Sequence, residues 1–198
     1  NLPSETIGEE MYELLTMANQ TTEDVFSLLD NLLKWTKSQI GKLKVVYQEL
    51  NMVEVVEGVS EIFTMVAGLK NIKIVQDMPV VPVVVRADID MLKTVIRNLI
   101  SNAIKFSNEG SEVLVSLTEE DGMAIVSVKD SGCGIDEENQ KKLLHTDTHF
   151  STFGTNNEEG SGLGLLLCQD FIVKNGGKLW FTSKKGEGST FSFSVPLL

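Results

Sequence analysis

The chain has 198 residues, of which 42% are hydrophobic and 23% are charged, a composition typical of a soluble globular protein. That length accommodates one good-sized domain and an additional element. A formal net charge of −11 disfavours a nucleic-acid-binding function, because an acidic surface repels phosphate backbones. No apolar run in the sequence approaches the ~20 residues that a membrane-spanning helix requires.

Because the chain begins at Asn1 rather than at methionine, we interpret it as part of a longer protein, and any membrane anchor would lie outside it. Cys133 and Cys168 lack the spacing of a metal site or a redox motif, which favours a reduced, cytoplasmic location. His145 and His149 are four residues apart, but the aperiodic sequence around them is typical of a loop. We therefore predict no metal site at these histidines.

Residues 4–40 have the periodicity of a long helix, and Gly41 is suited to end it. Its apolar side chains recur at intervals of three and four residues and form a wide, leucine-rich stripe. The stripe consists of Met11, Leu14, Leu15, Ala18, Val25, Leu28, Leu29, Leu32 and Leu33. Such a stripe requires a partner helix, either from a second copy of the chain or from a segment outside it.

The remainder of the sequence alternates between strand and helix patterns. Met52–Lys70 and Ile89–Phe106 are predicted as amphipathic helices, and "GLGLLLCQDFIVKN" as a helix that ends at Gly176-Gly177. Two pairs of alternating runs predict hairpins, one of which turns at Asp121-Gly122. Further short segments are predicted as the strands "LKVVYQEL", "IKIVQD" and "VVVRAD" and the helix "DEENQKKLL". This order predicts an α/β two-layer sandwich with a mixed sheet and helices on one face.

A polar row on the helix Ile89–Phe106 is not explained by packing. Asn98, Asn102 and Lys105 recur at i, i+4 and i+7, although asparagine is an unfavourable residue in the middle of a helix. Amide oxygens suit a hard cation such as Mg²⁺, and a lysine ammonium suits phosphate. Taken alone, the row is more simply explained by exposure to water.

Three glycine-containing segments follow this helix. In "DSGCGI", Asp130 lies at the end of a predicted strand, where its carboxylate would be able to accept a hydrogen bond from an exocyclic amine. In "EGSGLGLLL", three glycines lie at the start of an apolar helix, where free amides and the helix dipole favour an anion. Each of these segments, like "GEGSTF", also suits an ordinary turn. Neither a Walker motif nor a Rossmann context accompanies them.

The order of these segments resembles the Bergerat-type ATP-binding domain of sensor histidine kinases. "RNLISNAIKFS" is similar to the N box of that family, and "DSGCGI", "GSGLGL" and "GEGSTFSFSVP" are similar to its glycine boxes. The resemblance covers residues 51–198 and extends upstream, where "LLDNLLKWTKSQIGKLKV" resembles the second helix of the dimerisation hairpin. It implies a catalytic ATP-binding domain at 46–198. It also implies a partial dimerisation and histidine-phosphotransfer segment at 1–45.

The resemblance further implies a site for ATP and Mg²⁺. Asn98 and Asn102 would face the phosphates and Mg²⁺, with Asn102 as the metal ligand, and Lys105 would pair with phosphate. Asp130 would accept the adenine amino group, and residues 145–161 would form a lid. The implied cofactor-binding residues are Asp130, Gly132, Gly134, Gly160, Gly162, Leu163, Gly164 and Thr190.

The sequence departs from this family in two respects. No histidine precedes His145, so the phosphoacceptor histidine and the helix that carries it are absent from this chain. We expect ATP binding without autophosphorylation of the chain alone. The lid, residues 145–161, contains neither arginine nor lysine, so neutralisation of the phosphates would depend on Mg²⁺, Lys105 and backbone amides.

The sequence thus predicts the cytoplasmic catalytic part of a sensor histidine kinase, whose parent protein would carry any membrane anchor. The γ-phosphoryl group would pass to a histidine outside this chain and then to an aspartate of a response regulator receiver domain. We expect a homodimer through the N-terminal helix. One alternative is a non-kinase ATPase of the same superfamily, disfavoured because Ile89–Phe106 lacks a glutamate. A degenerate partner-binding module is disfavoured by the intact glycine boxes.

Overall fold

A computed structural model describes residues 43–141, 143, 155 and 163–198, together with positions 11, 22, 29, 32, 33 and 36. The chain divides into two compact units, Asn1–Leu43 and Lys44–Leu198. The described residues of the first unit, apart from Leu43, are helical, and four of them expose much of their apolar side chains. These four are Met11, Leu29, Leu32 and Leu33. The remainder of the predicted N-terminal helix lies outside the described residues.

The second unit is an α/β structure of seven strands and four helices within its described residues. In chain order the elements are β1 (Gln48–Asn51), α1 (Met52–Leu69), β2 (Lys73–Asp77), β3 (Val84–Ala87), α2 (Ile89–Phe106), β4 (Glu112–Glu120), β5 (Met123–Asp130), α3 (Glu137–Gln140), α4 (Leu163–Lys174), β6 (Leu179–Lys184) and β7 (Gly188–Pro196). Among these elements, none of the helices is both long enough and apolar enough to cross a membrane.

Five strands form one mixed sheet in the order β2-β4-β5-β7-β6. β2 runs parallel to β4, and each of the remaining pairs is antiparallel. Alternate residues of the central strands are buried, as in Val113, Val115 and Leu117 of β4, because they face the layer of helices. The predicted two-layer sandwich with a mixed, mostly antiparallel sheet is confirmed.

The helices begin where side chains satisfy free backbone amides. Asp88 precedes α2 and its Oδ1 accepts hydrogen bonds from the amides of Asp90 at 3.0 Å and Met91 at 3.1 Å. Asn51 caps α1 in the same way through the amide of Val53, at 3.2 Å. The Asp88 cap thus fixes where α2 begins, and the Asn51 cap fixes where α1 begins.

One local prediction differs from the structure, and one strand pairing was not predicted. The short helix predicted over "DEENQKKLL" is limited to one turn, Glu137–Gln140, capped by Asp136. The strands β1 and β3 do not join the main sheet but pair with each other as a separate antiparallel ribbon. Periodicity identified both as strands but contains no information about which strand each would pair with.

Candidate functional site

The polar row of α2 lies on a half-buried edge of the helix. Asn98, Asn102 and Lys105 are each partly exposed, whereas Leu99 and Ala103 between them are buried. The row is therefore neither a fully solvated face nor part of the core. Such an edge is open to a ligand on one side and supported by the domain on the other.

The three side chains of the row are held differently. Asn98 Nδ2 donates to the carbonyl of Thr94 at 2.9 Å, which leaves Oδ1 directed away from that bond. The ammonium of Lys105 lies 5.2 Å from the ring centroid of Phe106. Within the described part of the chain, the amide of Asn102 has no hydrogen-bond partner. A half-buried amide that no described residue engages has an oxygen suited to a ligand such as a cation.

The first turn of α4 lies against this row. A Cβ atom built on Gly164 would lie 2.9 Å from Asn98 Oδ1, so a side chain at position 164 would displace the Asn98 amide. Leu163, the first residue of α4, is almost fully buried. The structure therefore brings together the predicted residues Asn98, Leu163 and Gly164, while Gly160 and Gly162 lie outside the described residues.

Asp130 is the buried carboxylate at the end of β5. Its Oδ1 accepts the amides of Gly132 at 2.9 Å and Ser189 at 3.2 Å. Burial raises the pKa of this carboxyl above its ordinary value, and the two amide hydrogen bonds oppose that shift. Among the described residues nothing donates to Oδ2. Asp130 Oδ2 therefore retains the capacity to accept a further hydrogen bond.

The glycines after β5 are required by contacts with the protein's own backbone. A Cβ on Gly132 would lie 2.0 Å from the carbonyl oxygen of Phe106, and one on Gly134 would lie 2.0 Å from that of Lys184. Gly134 also has a φ of 60°, in the left-handed region. The amide of Cys133 donates to the same Phe106 carbonyl at 3.2 Å. The Asp130 loop is thereby fixed against the end of α2 that carries Lys105.

Serines of the last hairpin support Asp130, and the sequence did not single them out. Ser189 donates its amide to Asp130, and its hydroxyl is 2.9 Å from that of Ser183. Ser183 Oγ in turn accepts the amide of Ile135 at 2.8 Å. Thr190 lies one residue along β7, in register with Thr182, so strand alternation places it on the opposite sheet face from Ser189. The role predicted for Thr190 stays a prediction.

A second contact missed from the sequence lies where α2 ends. Lys70 Nζ donates to the carbonyls of Ile104 at 3.2 Å and Lys105 at 3.0 Å, and so satisfies orphan carbonyls of the last turn. It also contacts Thr155 Oγ1 at 2.6 Å. Thr155 belongs to the segment predicted as a lid, and its hydroxyl donates to the Ser107 carbonyl at 2.9 Å. No local pattern around Lys70 indicates this contact.

The first turn of α4 and the Asp130 loop both pack against α2. The row on α2 leads from Gly164, beside Asn98, to the Asp130 loop, beside Phe106. The described residues contain no cluster of three or more acidic, histidine or cysteine side chains suited to a metal. An amide oxygen such as that of Asn102 would suit Mg²⁺, which takes oxygen ligands, keeps several waters and is bound together with substrate phosphates.

The part of the chain that contains this site is similar to known proteins. Residues 87–198 match the family described as histidine kinase-, DNA gyrase B-, and HSP90-like ATPase. The adaptive-response sensory kinase SasA of Crocosphaera subtropica is 34% identical over 171 residues, which cover 86% of this chain and 44% of that protein. The chain spans about half, or less, of the length of the curated relatives of this kind.

Solved structures agree with these sequence matches. The catalytic domain of histidine kinase ThkA is 30% identical with a TM-score of 0.66, over 76% of this chain and 95% of that domain. Histidine kinase ThkA in complex with the response regulator protein TrrA shares the fold, with a TM-score of 0.74 at 22% identity, over 95% of this chain and 52% of that one. This chain belongs to the histidine kinase-, DNA gyrase B-, and HSP90-like ATPase family, and it carries a catalytic domain of the sensor histidine kinase type.

Proposed function

We propose that residues 46–198 bind ATP with Mg²⁺ on the surface between α2, the Asp130 loop and α4, and act as the catalytic domain of a sensor histidine kinase. The observation that carries this proposal is the buried Asp130 carboxylate, whose Oδ2 has no hydrogen-bond partner among the described residues. The residue is buried, but its Oδ2 is not among the buried polar atoms without a partner, so a donor from outside can reach it. The amino group of adenine is such a donor.

The phosphates would extend along α2 from the Asp130 loop toward α4. Lys105 supplies a positive charge at one end of the row, and Asn98 lies beside the first turn of α4 at the other. The helix dipole at that turn, at Leu163 and Gly164, favours an anion, and we assign Gly160 and Gly162 to the same phosphate loop. Asn102 lies between Asn98 and Lys105, so the residue proposed as the metal ligand is in the middle of the row.

Phosphoryl transfer needs little covalent chemistry from the protein, because positioning and charge neutralisation supply most of the catalysis. Bound Mg²⁺ would neutralise charge on the phosphates. The residues of this chain would orient the nucleotide, through Asp130 at the base and through the α2 row at the phosphates. The acceptor would be a histidine outside this chain, since no histidine precedes His145.

We assign residues 1–45 to a partial dimerisation and histidine-phosphotransfer segment, through which the chain forms a homodimer. The exposed Leu29, Leu32 and Leu33 support this assignment, because an apolar stripe of this kind requires a partner. The receiver domain of a response regulator is proposed as the further partner, by analogy with the ThkA complex. A clamp-type ATPase fits less well, because the only acidic residue of α2 is Asp90, in the first turn.

The test is a calorimetric titration of the chain with AMP-PNP, with and without Mg²⁺. We expect saturable binding that is tighter with Mg²⁺, followed by transfer from ATP to a separately supplied hairpin that contains a histidine. No binding by the folded chain would overturn the proposal. Stoichiometric, acid-labile phosphate on the chain alone would contradict the assignment of the phosphoacceptor to a segment outside it.

A further inference from the structure

Asn175 makes an unusual set of buried contacts at the end of α4 farthest from the proposed phosphates. Only 4% of its surface is exposed. Its Oδ1 accepts the amide of Asp88 at 2.8 Å, and its Nδ2 donates to the carbonyl of Phe171 at 2.8 Å and contacts Met91 Sδ at 3.5 Å. One side chain therefore ties the C-terminal end of α4 to the N-terminal end of α2.

The two helices are in close contact again at the other end of α4. There Gly164 lies against Asn98, whose Oδ1 a Cβ atom at position 164 would displace. The interface between these points contains buried apolar side chains of α4, such as Leu167 and Phe171. Apolar contacts are non-directional, so they tolerate a small sliding of one helix along the other. Hydrogen bonds have directional geometry, and those of Asn175 therefore fix the register of α4 on α2.

The segment that enters the domain is attached at the same place. Asp88 Oδ2 accepts the amide of Val46 at 2.8 Å, while Asp88 Oδ1 caps α2. Tyr47 donates its hydroxyl to the carbonyl of Lys174 at 2.6 Å. Asp88 and Asn175 thus form a junction where the start of α2, the end of α4 and the entering segment meet.

We infer that Asn175 is a positioning residue for the proposed nucleotide site and acts through α4. By fixing the end of α4 against Asp88, it holds the first turn of that helix beside Asn98, where the phosphates would lie. The inference rests on the proposed function. Recognition of the base should not depend on Asn175, because the base would be recognised by Asp130, which belongs to β5 and not to α4. Loss of Asn175 should weaken recognition of the phosphates and leave recognition of adenosine intact.

The experiment compares two ligands on the whole chain. Calorimetry measures the affinities of AMP-PNP with Mg²⁺ and of adenosine for the wild-type chain and for Asn175→Ala. We expect about tenfold weaker binding of AMP-PNP, on the order of the loss of one well-placed interaction, and adenosine binding within about twofold of wild type. Cys168→Ala is the matched control, since it removes a fully buried side chain within α4 itself. It should lower the melting temperature without changing the ratio of the two affinities.

Equal weakening of both ligands by Asn175→Ala, or no change in either, would overturn the inference while leaving the proposed function standing. A folded wild-type chain that binds neither ligand would overturn both. Where Asn175→Ala does not fold, Asn175→Ser replaces it, because serine retains a polar atom in a smaller side chain. The same change in the ratio of affinities is required of that variant.

Discussion

Asn98 and Gly164, on two different helices, approach so closely that a Cβ atom at position 164 would lie 2.9 Å from Asn98 Oδ1. The glycine is thus required by the position of one amide side chain and not by its own backbone. Gly164→Ala should rotate the Asn98 side chain and break its 2.9 Å bond to the Thr94 carbonyl. We expect about tenfold weaker AMP-PNP binding, with stability changed by no more than ~1 kcal/mol.

Gly58→Ala is the control for that variant. Gly58 is a helical glycine of α1, and a Cβ atom added there would have no other atom within 4 Å. The substitution should stabilise the domain by about 0.5–1 kcal/mol, because alanine loses less conformational freedom in a helix than glycine does. Its nucleotide affinity should equal that of wild type. Unchanged AMP-PNP binding by Gly164→Ala would show that the phosphates do not depend on Asn98.

Asp130→Asn should raise the stability of the domain and weaken its binding of the nucleotide. Because burial raises the pKa of Asp130, the ionised carboxyl destabilises the fold at neutral pH. The favourable contribution of the protonated carboxyl to stability is complete below the unfolded pKa near 3.8 and is lost as the pH rises through the folded pKa. Without ligand, Asp130→Asn should therefore melt at a higher temperature than wild type at pH 7. The difference should shrink as the pH falls through the raised pKa.

The same variant should bind AMP-PNP at least about tenfold more weakly, because an adenine amino group forms a stronger hydrogen bond with a carboxylate than with an amide. Wild-type affinity should likewise fall as Asp130 is protonated at low pH. Asp77→Asn removes the same charge from an exposed strand end and serves as the control. Thermal melts and calorimetry from pH 4 to pH 8 give both quantities, and wild-type affinity for Asp130→Asn would refute the assigned role.

Asn102→Ala tests the metal assignment. With Mg²⁺, the affinity for AMP-PNP should fall about tenfold, to the value measured without Mg²⁺, because the metal would lose its protein oxygen. Without Mg²⁺, the affinities of variant and wild type should agree within about twofold. The exposed neighbour Ser101→Ala should behave as wild type in both titrations. An undiminished effect of Mg²⁺ in Asn102→Ala would place the cation elsewhere.

Charged substitutions in the apolar stripe of the N-terminal segment test the proposed homodimer. Leu29 and Leu33 expose 56% and 54% of their surface, so Leu29→Glu with Leu33→Glu should leave the helix formed while disrupting its association. Sedimentation velocity should show a dimer for wild type and a monomer for this double variant. Val80→Glu with Val81→Glu adds the same charge at exposed apolar positions of the catalytic domain and should remain dimeric. A monomeric wild-type chain at high concentration would contradict the proposed homodimer.

Helix α2 illustrates how much local sequence predicts. Both of its ends, Ile89 and Phe106, agree with the prediction, since the Asp88 cap and the apolar period are encoded within a few neighbouring residues. The hairpin turn also agrees, with positive φ at Asp121 and Gly122 as a two-residue turn requires. Such features depend on short-range sterics and hydrogen bonds, so they can be predicted from the sequence.

The atom that requires a glycine at a given position is harder to predict from the sequence. The resemblance implies that Gly132 and Gly134 contact the nucleotide, which stays a prediction. The structure adds that a Cβ atom at these positions would meet the carbonyls of Phe106 and Lys184. A glycine is recognisable from the sequence, but the atom that approaches it belongs to a distant segment. The same limit applies to Ser189, whose amide reaches Asp130 across 59 positions of the chain.

The sequence by itself determined the type and order of most elements, the polar row of α2 and the glycine segments, because these follow from periodicity, capping and turn chemistry within short windows. Only the tertiary structure decided that Lys70 caps the end of α2, that β1 pairs with β3, and that Asn175 binds the Asp88 amide across 87 positions. Those contacts depend on how every intervening element packs, and no local pattern specifies such packing.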